Sequence, residues 1–130
     1  MEGDFTLEQS LSGHIAVLSA VFKELHAHNV LLEGMLLKVS MVILPERKSS
    51  PQQVAEATCA ALSRTVPPAI PGIVFLSGGQ GDEEAIENLQ AINEIANKDR
   101  AKHPWRLSFS YGMVLISRFN PKVVRCRENL

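Results

Sequence analysis

Helical periodicity and continuous apolar runs take turns along this chain, and that alternation limits its fold more than any single motif does. From Thr6 to Asn29 the residues Leu7, Leu11, Ile15, Leu18, Val21, Phe22 and Leu25 recur every three or four positions, the spacing of one apolar helix face. Asn29 is a fitting stop, because asparagine tolerates a left-handed backbone. Met35 to Leu44 is then almost wholly apolar, as expected of a parallel strand buried on both faces. Beyond the polar stretch Pro45-Glu46-Arg47-Lys48-Ser49, Ser50-Pro51-Gln52-Gln53 has the makings of a helix start. Ser50 can cap it, Pro51 lacks only an N–H that has no partner in the first turn, and Gln53 can close a capping box. Val54, Ala57, Thr58, Ala61 and Leu62 form its apolar stripe, and Pro67-Pro68 ends it.

Ile73-Val74-Phe75-Leu76 predicts a second short buried strand, and Asp82 a cap for a third helix with Ala85, Ile86, Leu89, Ile92 and Ala96 inside. Trp105 to Tyr111 predicts a third strand, with Leu107, Phe109 and Tyr111 on one face and Ser108 and Ser110 on the other. Strands that alternate with helices predict an α/β domain whose parallel strands are neighbours in chain order. The basic segment from Phe119 to Leu130 carries no clear pattern.

Composition narrows the partners. The 130 residues suit one domain, and a net charge of -1 supplies no field for nucleic acid or an anionic membrane. No stretch has the length and apolarity of a bilayer span. The opening Met1-Glu2-Gly3-Asp4 is acidic, unlike a signal peptide. Cys59 and Cys126 show no metal-ligand spacing and indicate no disulfide framework. A reducing, cytoplasmic setting is the expectation.

Three places could carry chemistry. Lys38 lies within Leu36-Leu37-Lys38-Val39. A lysine stripped of water is more easily neutral, and a neutral amine attacks carbonyls to give a Schiff base. The other reading is a strand lysine whose stem is buried and whose head reaches water. Ser77-Gly78-Gly79 follows a strand and precedes a helix. It can be a chain reversal only, or a cradle whose N–H groups approach a phosphate beside a helix N-terminus. Ser110-Tyr111-Gly112 ends the third strand, and Gly112 can offer an N–H to the same phosphate or simply end the strand. His14, His26, His28 and His103 read as surface residues, and Trp105 as core.

Taken in order, these pieces resemble the class I, Schiff-base-forming fructose-bisphosphate aldolases. Leu32-Glu33-Gly34-Met35-Leu36-Leu37-Lys38-Val39-Ser40-Met41-Val42 is similar to the family's lysine signature. Arg64-Thr65-Val66-Pro67-Pro68-Ala69, Pro71-Gly72-Ile73-Val74-Phe75-Leu76-Ser77-Gly78-Gly79-Gln80, Ala91-Ile92-Asn93 and Trp105-Arg106-Leu107-Ser108-Phe109-Ser110-Tyr111-Gly112 follow collinearly, and Glu2-Gly3-Asp4 looks like the loop after the family's fifth strand. The likeness runs from about residue 3 to about residue 117, with residues 118–130 an atypical tail of one single domain.

The resemblance implies part of a (β/α)₈ barrel, its last three βα units, with chemistry at the C-terminal ends of the strands. It implies that Lys38 forms the imine, and that Ser77, Gly78 and Gly112, with Ser110, hold a substrate phosphate. The reaction implied is reversible cleavage of fructose 1,6-bisphosphate to dihydroxyacetone phosphate and glyceraldehyde 3-phosphate, a step of glycolysis and gluconeogenesis. No metal or other cofactor is implied, and the partners are a phosphorylated sugar and further copies of the chain in a tetramer.

The chain departs from the family at Val39, where a proline is usual, and at Met113, where an arginine clamps the phosphate. Losing that charged, two-pronged donor costs about 2–4 kcal/mol of phosphate binding. The first five strands, and with them the family's acid/base glutamate and first-strand aspartate, are not in this sequence. The alternative expectation is therefore an inactive aldolase-like fragment or interaction module.

Overall fold

The structure, a computed structural model, describes residues 6–44 and 49–110. Three helices and three strands follow one another as α1 (Leu7–Ala27), β1 (Leu36–Ser40), α2 (Pro51–Thr65), β2 (Gly72–Leu76), α3 (Asp82–Lys98) and β3 (Arg106–Phe109), with a 3₁₀ turn at Leu32–Gly34.

Each helix begins where the local chemistry permits. Thr6 caps α1 and exchanges hydrogen bonds with Gln9 in a capping box; Ser50 and Gln53 do the same for α2, with Pro51 in the first turn. The cap of α3 is Gly81 rather than Asp82, which is the first helical residue and joins Glu83 and Glu84 in the first turn. There the three carboxylates face the positive end of the helix dipole. Asn29, with φ at 54°, turns the chain out of α1 as its side chain allows.

The sheet has the order β1-β2-β3, and both pairings are parallel. Leu37 stands level with Ile73 and Leu107, and Lys38 with Val74 and Ser108. Side chains alternate across a sheet, so these two rows face opposite ways. Leu37, Ile73, Phe75 and Leu107 are buried and join the core with Leu18, Phe22, Leu62, Leu89, Ile92 and Trp105. Among the described residues the helices cover this face, and α1 also reaches Ser40 at the end of β1.

Two expectations are corrected here. The apolar run Met35–Leu44 is a strand only over Leu36–Ser40, and it is not buried on both faces. Leu36 is 61% exposed, because the face it shares with Lys38 has no covering layer among the described residues. Met41 and Val42, each 1% exposed, leave the strand ladder but stay in the core. The N–H of Val42 donates instead to Oγ1 of the buried Thr58 in α2, at 2.9 Å. Val21, placed on the inner stripe of α1 by periodicity, is 40% exposed, whereas Leu18 and Phe22 are buried.

Candidate functional site

The C-terminal ends of the strands gather most of the polar residues singled out above. Ser40 closes β1 level with Leu76, and Ser77 follows immediately. The N–H of Ser110 donates to the carbonyl of Phe75 at 2.9 Å, so the β2–β3 ladder runs on to Ser110. By the register, Lys38, Leu76 and Ser110 share the face turned away from the helices, while Ser40, at the end of β1, is half-buried and reached by α1. Lys38 is exposed there, so the dry surroundings expected for it are not supplied by the described residues.

The Ser77-Gly78-Gly79-Gln80 segment is a tight turn closed by Gln80 N–H donating to the Ser77 carbonyl at 3.1 Å. Gly78 and Gly79 carry φ of 59° and 87°, a pair of left-handed values that favours glycine at both positions. A Cβ on Gly78 would lie 3.5 Å from Cδ1 of Ile43 and 3.9 Å from Cβ of Ser40. The turn therefore sits over the end of β1 rather than standing clear of it.

Its shape is held from beneath. Nε2 of Gln80 donates to the Ser77 carbonyl at 3.0 Å and approaches Sδ of Met41 at 3.6 Å. The buried Asn88 of α3 donates to Oε1 of Gln80 at 2.6 Å. The next helix begins directly afterwards, but Asp82, Glu83 and Glu84 already occupy its positive end. An anion at this turn would depend on the N–H groups of the turn and on cations brought from the sheet face.

One cluster escaped sequence reasoning. His14 is no free surface residue: Nδ1 lies 2.8 Å from the Ser10 carbonyl and Nε2 lies 2.9 Å from Oγ of Ser40. A carbonyl only accepts, so Nδ1 carries a hydrogen, and in the ring's neutral form Nε2 accepts from the Ser40 hydroxyl. Ser10 is also buried, and its hydroxyl donates to the Ile43 carbonyl at 3.3 Å. The i,i+4 spacing of Ser10 and His14 on a predicted helix was the available signal, but nothing in the sequence tied that face to Ser40.

His103 is likewise buried, against Trp105 with ring centroids 6.2 Å apart. Burial pushes its pKa below the ordinary histidine range, with Lys102 adding to the effect and Asp99 opposing it. His26 and His28 are exposed as expected. Gly112 and Met113 lie outside the described residues.

Comparison with known proteins gives these features a context. Residues 1–120 match the family model described as Glycolytic: Fructose-bisphosphate aldolase class-I. The chain is 48% identical over 118 residues to a fructose-bisphosphate aldolase of Dictyostelium discoideum, covering 88% of this chain and 32% of that protein. It is 50% identical over 117 residues to fructose-bisphosphate aldolase B of Mus musculus, covering 88% and 31%. A solved fructose-bisphosphate aldolase of Plasmodium falciparum, in complex with TRAP and a small-molecule inhibitor, superposes with a TM-score of 0.79 at 43% identity, covering 98% of this chain and 38% of that one. The chain spans about a third of the length of the curated relatives it matches. No helix among the described residues is long and apolar enough to cross a membrane.

Proposed function

Because this chain belongs to the class I fructose-bisphosphate aldolase family, we propose that it carries the imine-forming lysine and the phosphate-holding turns of such an enzyme. Its three strands correspond in this reading to the last three βα units of a (β/α)₈ barrel. The reaction is reversible cleavage of fructose 1,6-bisphosphate in glycolysis, in the cytoplasm, and the assembly is a tetramer.

Lys38 attacks the ketose carbonyl and loses water to form the Schiff base. The protonated imine then draws in the electrons of the neighbouring carbon–carbon bond as it breaks. Ser77, Gly78, Ser110 and Gly112 hold a substrate phosphate through hydroxyl and backbone N–H groups. Met113 contributes no charge, so phosphate is held less firmly than by a turn that carries arginine. On the open face the cations Lys38 and, by register, Arg106 at the start of β3 face the same side.

The observation that carries this reading is the register. Lys38 stands level with Val74 and Ser108 on the helix-free face, and the Gly78 turn packs over the end of the same strand. A lysine on the opposite face would be sealed beneath the helices.

The test is covalent trapping. The chain is incubated with dihydroxyacetone phosphate, reduced with borohydride and mapped by mass spectrometry. A single adduct on Lys38, absent in Lys38→Arg, is expected. Labelling spread evenly over surface lysines would refute the assignment.

A further inference from the structure

We infer that Ser40 and His14 form a proton-transfer couple that serves the amine of Lys38, an inference that rests on the imine reading above. The geometry has the three parts of an activated hydroxyl. Ser40 Oγ lies 2.9 Å from Nε2 of His14 and donates to it when the ring is neutral, and Nδ1 of that ring is fixed by the Ser10 carbonyl at 2.8 Å. A hydroxyl, a base and a group that orients the base is the arrangement in which a hydroxyl proton can move.

The couple stands where the imine would need it. Ser40 is two residues beyond Lys38 on the same strand, a rise of about 6.6 Å that a lysine stem can span. Gly78 is its neighbour on the other side, with a built Cβ 3.9 Å from that of Ser40. Amine, hydroxyl and glycine turn thus share one edge of the sheet. Holding α1 against the end of β1 does not by itself account for the pair, because Ser10 already bonds the Ile43 carbonyl.

The step balances. With a protonated imine on Lys38, a C–H bond on the carbon next to the imine carbon breaks. Its proton passes to Ser40 Oγ as the hydroxyl proton of Ser40 passes to Nε2 of His14. The C–H electron pair becomes the carbon–carbon double bond of an enamine, and the iminium π pair settles on nitrogen. His14 becomes imidazolium, with its Nδ1 hydrogen still on the Ser10 carbonyl. Return of a solvent-exchanged proton by the same route restores the imine.

The experiment places the 130-residue chain and dihydroxyacetone phosphate in D₂O. Two quantities are read: deuterium entering the carbon beside the carbonyl, and the borohydride-trapped adduct at Lys38. Ser40→Ala removes the hydroxyl, and His14→Gln can still bridge Ser10 and Ser40 but cannot take a proton. Exchange is expected to fall about 100-fold in both, the adduct by less than about threefold, and Ser40→Thr to exchange within about threefold of the parent. Exchange that falls only in step with the adduct means a structural role and overturns the inference. So does exchange unchanged in the variants, or none in a parent chain that forms the adduct. A parent chain with no Lys38 adduct overturns the imine reading and this couple with it.

Discussion

At the scale of single residues, two buried groups in α2 carry predictions of their own. Thr58 accepts the hydrogen bond that replaces the strand ladder at Val42. Thr58→Val keeps the shape but leaves a buried N–H without a partner, which costs about 1–3 kcal/mol. Urea unfolding should show that loss, and Thr58→Ser, which keeps the hydroxyl, should lose less. One turn's neighbour, Cys59, sits between α2 and α3 with its thiol 3.8 Å from the Ile92 carbonyl. Burial alone pushes its pKa up to about 11. The thiolate is the reactive form, so in the folded chain its fraction becomes appreciable only as pH rises toward 11. Alkylation of Cys59 at pH 8, followed by peptide mapping, should be slow in buffer and fast in denaturant. Equal rates in the two would mean that the α2–α3 packing is not as described.

Elements are set by their ends as much as by their faces. The Ser50–Gln53 box and Pro51 define where α2 begins, and α2 is the helix that packs on both α1 and α3. Ser50→Ala removes the acceptor for Gln53 N–H and should cost about 1 kcal/mol, read as a lower unfolding midpoint. These boundaries were legible because capping is local: a hydroxyl, a glutamine three residues on and a proline act on the backbone beside them. The apolar stripe of α2 was legible for the same reason, since Val54, Ala57, Thr58, Ala61 and Leu62 share one face by period alone and are all buried. The length of β1 was not. Met41 and Val42 are as apolar as Leu37, and the partner that Val42 N–H takes in place of the ladder, Thr58, comes from another element.

At the scale of the whole molecule, the described residues cover the sheet on one face. β1 and β3 are its edges, and Leu36, Val17 and Leu31 are exposed at 61%, 64% and 71%. Unpaired strand edges beside apolar surface favour association. The 130-residue chain is therefore expected to self-associate, with sedimentation velocity showing species larger than a monomer that grow with concentration. A single monomeric boundary across a hundredfold range of concentration would contradict this. The same open face explains the exposure of Lys38: desolvation there requires a layer that the described residues do not provide.

What the sequence determined by itself was everything carried by near neighbours: three helices, three strands, their α/β order, the glycines at Gly78 and Gly79 and the collinear motifs that mark the family. Parallel neighbours in chain order followed from the same alternation, since short helical crossovers leave few other arrangements. Tertiary structure alone decided which face of β1 is covered, and so whether Lys38 is sheltered. It also decided that His14 meets Ser40 across 26 residues of chain. Such a contact depends on how α1 lies against the end of β1, and that angle is set by packing among Leu7, Leu11, Ile15, Val42, Ala57 and Ala61. No local rule relates a histidine on one element to a serine on the next, because their distance is fixed by the side chains packed between those elements.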